Sequence, residues 1–187
     1  MTLDATTQAA VAANDAQPVE RSPITFREPT IEDGSDIWNL IGDCDPLDEN
    51  SMYCNLVQCD HFAETCVLAA QDDEVVGWIS AHLPPSEDDV LFIWQVAVAD
   101  KARGQGLASR MLRQILSRSV CGHVTRLQTT ITKDNDASWA LFTKLAKDMD
   151  AALSDEPYFK KEAHFDGEHA TEHLVTIRFP EALESVA

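Results

Sequence analysis

The stretch ADKARGQGLASRML, residues 99–112, decides how the fold is read. It sets two glycines, Gly104 and Gly106, in a charged turn between an apolar run and an amphipathic segment. Glycines at the mouth of a helix let backbone N–H groups close around an anion. Beyond the turn, Leu107, Met111, Leu112, Ile115 and Leu116 share one helical face, while Arg110, Arg113 and Arg118 mostly face away. That pattern predicts an amphipathic helix starting near Gln105. Before the turn, VLFIWQVAVAD (90–100) is almost wholly apolar, which predicts a central strand buried on both faces.

Working outward, ITFREPT (24–30) reads as a short strand that stops at Pro29. Thr30 then caps a first helix with Ile37, Leu40 and Ile41 inward. Asn50 or Ser51 starts a second helix, where Met52, Leu56, Val57 and Phe62 recur at roughly helical spacing. Residues 65–83 read as two strands around a turn at Asp72 and Asp73. HVTRLQTTIT (123–132) is a strand with Val124, Leu127 and Ile131 inward, and a helix begins near Asn135. PYFKKEAHF (157–165) and HLVTIRF (173–179) read as closing strands around a turn near Gly167. The order β-α-α-β-β-β-α-β-α-β-β predicts a mixed sheet flanked by helices in one α/β domain spanning 23–187. Residues 1–22 are rich in Ala, Thr, Asp and Gln and read as a disordered tail.

The chain has 187 residues, enough for one domain with a proper core. Its 32 acids against 14 bases give a net charge of −18, which argues against nucleic acid or an anionic membrane as partner. Such a surface suits a protein kept soluble in a salty cytoplasm. Five cysteines occur, at 44, 54, 59, 66 and 121, with no C-x-x-C pair, and read as reduced thiols of a cytoplasmic protein. No run of 18 apolar residues and no signal-peptide pattern is present.

Three phosphate-binding patterns compete for the glycine turn. The P-loop pattern fails for want of its Lys. A dinucleotide fingerprint fits poorly, since Ser109 stands where its last small residue belongs, and no acid ends the following strand, which closes on Thr130, Ile131 and Thr132. The third pattern is R/Q-x-x-G-x-G/A, met by Arg103, Gly104, Gln105, Gly106, Leu107 and Ala108. In this the chain resembles the GNAT N-acetyltransferase superfamily, whose members bind the acetyl-CoA diphosphate on such a loop. The resemblance extends from about Ile24 to Phe179. It implies the GNAT fold, with a mostly antiparallel sheet splayed between two parallel strands. It implies that the backbone of Val96, Ala97 and Val98 meets pantetheine, and that Asn135, Ser138 and Phe142 lie beside the cofactor. Many relatives carry Tyr at the position of Phe142 as the acid for the leaving thiolate. Phe has no proton to give, so the thiolate leaves unprotonated, as a thiol pKa of about 8.5 permits, or another group serves.

PLDENSMY (46–53), FIWQVAVADKARGQGLA (92–108), TTITKDNDASWALF (129–142) and GEHATEHLV (167–175) further resemble the diaminobutyrate acetyltransferase branch of that superfamily. The resemblance implies acetyl transfer from acetyl-CoA to the γ-amine of L-2,4-diaminobutyrate in ectoine biosynthesis, by a homodimer without a metal. A substrate with two ammonium groups and one carboxylate needs acids and donors together. Asp48, Tyr53, Trp94, Thr130, Asn135, Glu168 and His169 are the candidate substrate contacts. The amine must lose a proton before it attacks. The central strand lacks the Glu that relatives often carry there, which leaves Asp48, Glu168 and His169 as candidate bases. A strand N–H near Val96 is the candidate oxyanion donor.

Residues 169–173, HATEH, also match a zinc-protease pattern. That pattern needs a helix to put both histidines on one face. Gly167 before it and LVTIRF after it leave no room for one, so these read as surface histidines on a turn, one facing substrate. Two other readings compete: acetylation of a different amine, such as a polyamine or a protein N-terminus, and a CoA-binding module without catalysis.

Overall fold

The computed structural model describes residues 22–44 and 47–183. The expected tail, 1–22, lies outside these except for Ser22. That residue is part of the fold: its N–H donates to Asp72 Oδ1 at 3.4 Å and its carbonyl accepts from Gln71 Nε2 at 2.7 Å.

The elements are β1 (Thr25–Arg27), α1 (Gly34–Gly42), α2 (Met52–His61), β2 (Val67–Gln71), β3 (Glu74–His82), β4 (Val90–Val98), α3 (Leu107–Leu116), β5 (Arg126–Thr132), α4 (Asp136–Asp148), β6 (Ala152–Phe159), α5 (Lys161–His164) and β7 (Glu172–Arg178). The seven strands form one sheet in the order β1-β2-β3-β4-β5-β7-β6. Every pairing is antiparallel except β4 with β5. α3 and α4 cover one face with the larger core, including Met111, Leu112, Ile115, Phe142 and Leu145. On the other face Ile37, Leu40 and Ile41 of α1 pack with Cys59 of α2 on Leu68, Trp78 and Ala97. Each such fully buried aliphatic side chain contributes about 1.5–3 kcal/mol.

β4 pairs with β5 only where it begins, Val90–Phe92 against Arg126–Gln128. That end is fastened by Asp89, which accepts from Arg126 Nε at 3.1 Å and closely from Thr125 Oγ1. Beyond it the two strands part. At the same place β4 carries a bulge: Ser80 of β3 faces Gln95, but Ala81 faces Ile93, so Trp94 is the extra residue. The bulge exchanges the faces of the strand. Leu91 and Ile93 pack in the α3–α4 core, whereas after the bulge Gln95 is buried and Ala97 packs on the α1 side. Trp94 itself is 47 % exposed, so the strand is not buried on both faces there.

Three expectations are corrected. α2 starts at its Ser51 cap, whose Oγ accepts from Cys54 N–H at 3.2 Å. Its buried residues, however, are Asn55, Gln58 and Cys59, while Met52 is 41 % exposed. Leu56 is drawn instead onto Gly34 of α1, so close that a Cβ there would lie 2.5 Å from its Cδ2. The strand read over 157–165 runs over Ala152–Phe159, and residues 161–164 form a helical turn. β6 is a sheet edge with a single neighbour, β7, so its residues show no apolar alternation to read. His173 is also not a turn residue: it lies in β7, 4 % exposed, with Nδ1 2.9 Å from Asp155 Oδ2.

Candidate active site

The parted ends of β4 and β5 open a cleft, and the glycine turn lies at the β4 side of it. Gly104 and Gly106 adopt φ of +73° and +67°, a left-handed backbone that costs other residues strain. Nothing stands within 4 Å of a Cβ built on either, so their role is to shape the turn and leave open space above it. Arg110 N–H donates to Gly106 O at 3.1 Å. The amides of Leu107, Ala108 and Ser109 precede that bond and lie outside the α-helical pattern. This is the donor array an anion requires.

Arg103 is tied into the turn, its Nε donating to Val98 O at 3.2 Å and its Nη1 2.8 Å from Asp100 Oδ1. Val98 O also accepts from Cys44 Sγ at 3.5 Å, so this carbonyl is already engaged. Gln105 Nε2 donates to Lys101 O at 3.3 Å. Across the cleft Asn135 caps α4, its Oδ1 accepting from Ser138 N–H at 3.0 Å. Trp139 Nε1 donates to Thr132 O at 3.0 Å and ties the helix to β5. Phe142 is 2 % exposed within the α3–α4 core.

Beside the cleft, on the α1 side of the sheet, three acceptors converge. His169 Nε2 lies 3.9 Å from Asp48 Oδ2 and 3.8 Å from Glu172 Oε1. His169 Nδ1 is 2.7 Å from the carbonyl of Ala170, which requires the proton on Nδ1. In the neutral ring Nε2 then turns a lone pair toward two carboxylates. The separations are too long for direct hydrogen bonds. Two acceptors of one ammonium, each about 2.8 Å from it along tetrahedral directions, stand about 4.6 Å apart. At 3.8 and 3.9 Å these pairs stand closer than that, so a cation shared between them needs the side chains to spread slightly. Phe165 packs on the His169 ring with centroids 4.7 Å apart. Asp134 adds a further negative charge nearby, felt by both His169 and Glu172.

Glu172 is the residue the sequence reading passed over. It stands opposite Thr132 in the β5–β7 register, with Thr130, diagonally placed, near enough to favour its charged form. Burial raises its pKa most; a protonated His169, then Thr130, offset part of that, and the charges of Asp48 and Asp134 add to the rise. A signal was present in HATEH: strand alternation puts Glu172 and His173 on opposite faces, so the acid faces the cleft while His173 turns toward Asp155. For the same reason the five residues do not form the zinc-protease arrangement. Glu168 has an exposed side chain on the turn, and the acid facing His169 is Glu172. Trp94 and Tyr53 (75 % exposed) are open to solvent on the bulge and on the first turn of α2.

The sequence model of the acetyltransferase (GNAT) family matches residues 35–146. This chain belongs to the GNAT acetyltransferase family. The glycine turn and the parted strands are thus the GNAT framework. Among relatives, the L-2,4-diaminobutyric acid acetyltransferase of Methylotuvimicrobium alcaliphilum is 52 % identical over 154 residues, 82 % of this chain and 90 % of that one. The enzyme of the same name from Bordetella parapertussis is 40 % identical over 178 residues, 95 % of this chain and 96 % of that one. Among solved GNAT structures, diaminobutyrate acetyltransferase EctA from Paenibacillus lautus, in complex with L-2,4-diaminobutyric acid and coenzyme A, superposes with a TM-score of 0.80 at 36 % identity, covering 83 % of this chain and 95 % of that one. Arabidopsis thaliana Naa50 shares the fold alone, with a TM-score of 0.64 at 16 % identity over 83 % of this chain and 99 % of that one.

Proposed function

We propose that this chain transfers the acetyl group of acetyl-CoA to the γ-amine of L-2,4-diaminobutyrate, giving N4-acetyl-L-2,4-diaminobutyrate for ectoine synthesis. The observation that carries this reading is the convergence of Asp48, His169 Nε2 and Glu172 on one gap beside the cleft. Three acceptors with an acidic surround match a small molecule carrying two ammonium groups and would repel an acidic acceptor molecule. The names of the relatives and the ligands of the Paenibacillus lautus enzyme support the same substrate.

Acetyl-CoA supplies the acetyl group as a thioester. The turn from Gly104 to Ala108 would hold its diphosphate, with Arg103 and Gln105 bracing the turn. Val96 to Val98 would run beside its pantetheine arm, and Asn135 and Ser138 would face it from α4. Asp48 and Glu172 bind ammonium, and Thr130 orients the Glu172 carboxylate. His169, locked with its proton on Nδ1, offers Nε2 as an acceptor for an amine proton. Glu172 and His169 are the preferred candidates to take the proton the γ-nitrogen must lose, with Asp48 and Glu168 the further candidates. Trp94 and Tyr53 wall the substrate side. A backbone N–H near Val96, beyond the last β4–β5 pair, serves the oxyanion. We also assign the chain to a cytoplasmic homodimer; the exposed Tyr158 and Phe159 on edge strand β6 support self-association, which sedimentation would test.

The deciding experiment is thiol release from acetyl-CoA with diaminobutyrate, ornithine, lysine and putrescine, with product regiochemistry read by NMR. Preference for diaminobutyrate with acetyl on the γ-nitrogen is expected. Equal rates on putrescine would overturn the substrate assignment. Binding of acetyl-CoA with no turnover on any of them would overturn the enzymatic reading.

A further inference from the structure

We propose that Gln95 is a positioning residue that holds the Asp48 loop at the substrate site. The proposal rests on the reading that Asp48 binds substrate. Asp48 lies on an irregular segment, and its side chain is 90 % exposed, so its own contacts do not fix it. Its backbone is fixed instead. Gln95 Nε2 donates to Asp48 O at 3.0 Å, and Gln95 Oε1 accepts from Asn50 Nδ2 at 3.2 Å. Asn50 O in turn accepts from Trp38 Nε1 of α1 at 2.9 Å. Three bonds thus clamp residues 48–50 between β4 and α1.

The clamp depends on the β4 bulge. With regular alternation Gln95 would share the face of Leu91 and Ile93 and bury its amide in the α3–α4 core. The extra residue, Trp94, turns Gln95 to the α1 side, where it is 8 % exposed. One backbone irregularity therefore presents Trp94 to the site and, through Gln95, sets the position of Asp48. The job needs one donor and one acceptor on one side chain, which a glutamine supplies and a carboxylate or a methionine does not.

The test is steady-state kinetics on the intact enzyme with Gln95→Leu, Asp48→Asn and the double variant. Losing the clamp is expected to raise KM for diaminobutyrate about five- to ten-fold, with kcat and the KM for acetyl-CoA held near wild type. A merely structural role would not produce that split. The double variant should be no worse than Asp48→Asn, because both act through one group. If Gln95→Leu does not fold, Asn50→Ala, which loses one bond at a partly exposed position, should shift the same KM in the same direction by about two- to five-fold. Wild-type KM in the Gln95 and Asn50 variants, beside a raised KM in Asp48→Asn, overturns the proposal and leaves the function standing. An Asp48→Asn enzyme with unchanged KM overturns the reading beneath it, and the proposal with it.

Discussion

Gly106→Ala separates the fold from the cofactor. Gly106 sits at φ +67°, and a Cβ built there has nothing within 4 Å. The cost to the fold is therefore the left-handed backbone alone, about 1 kcal/mol. For a chain of this length that lowers Tm by about 2–4 °C. The same methyl group enters the open space over the turn, where the diphosphate would approach the amides of Leu107, Ala108 and Ser109. Each hydrogen bond to a charged group contributes about 1.5–3 kcal/mol, so losing one raises the acetyl-CoA KM roughly ten- to a hundred-fold. The diaminobutyrate KM should hold, since Asp48 and Glu172 lie on other elements. Gly167→Ala is the control: φ is +84°, and the new Cβ would sit 3.5 Å from Glu162 Oε2, away from the turn. It should cost a similar Tm shift without touching the acetyl-CoA KM. Differential scanning fluorimetry and initial rates read both. A Gly106→Ala enzyme with lowered Tm but unchanged acetyl-CoA KM would refute the cradle argument.

Three further outcomes are expected. Glu172 keeps its proton to a higher pH than an ordinary glutamate, because burial disfavours its charge. Activity that needs its carboxylate is therefore lost as pH falls through that raised value, and a kcat/KM profile should place the acid limb above the ordinary glutamate range of about 4.3. Glu172→Gln should lower kcat/KM by about a hundred-fold or more and remove that limb. Asp33 accepts from Arg27 at 2.6 and 2.7 Å and from Thr30 N–H at 2.7 Å, and Arg27 holds its pKa down. Its stabilisation is thus full above the unfolded value of about 3.9 and fades as pH falls through the lower folded one; urea unfolding should show the gap between wild type and Asp33→Asn closing with acid. Burial pushes Cys59 and Cys121 up to about 11 and Cys66 up to about 12. Ellman's reagent should label Cys54, the half-exposed thiol, well ahead of these three, and fast labelling of all five in the native protein would contradict the packing.

Much of this was legible along the chain because its cause is local. The glycine turn draws its glycines and free amides from six consecutive residues, 103–108. The α3 stripe Leu107, Met111, Leu112, Ile115 and Leu116 is buried as its period implies. Val124, Leu127 and Ile131 are buried likewise. Reading failed where a neighbour, rather than the segment, set the outcome. α2 turned its polar Asn55 and Gln58 inward while Leu56 packs against Gly34 of α1. β6 gave no alternation because a sheet edge imposes none. Gln95, a lone polar residue in an apolar run, was the one local trace of the bulge.

The sequence by itself determined the family framework: the strand–turn–helix at residues 90–116, the net charge of −18 and the cap at Asn135. Each follows from residues near one another in the chain, or from composition, and neither requires knowing what packs against what. Only the tertiary structure decided which side chains gather beside the cleft. Asp48, Thr130, His169 and Glu172 come from a loop, β5, a turn and β7, and meet because the β5–β7 register sets Thr132 against Glu172 while Gln95 draws the Asp48 loop onto β4. Register and bulge are properties of paired strands, fixed by which faces can be buried together, and a single strand does not contain that information.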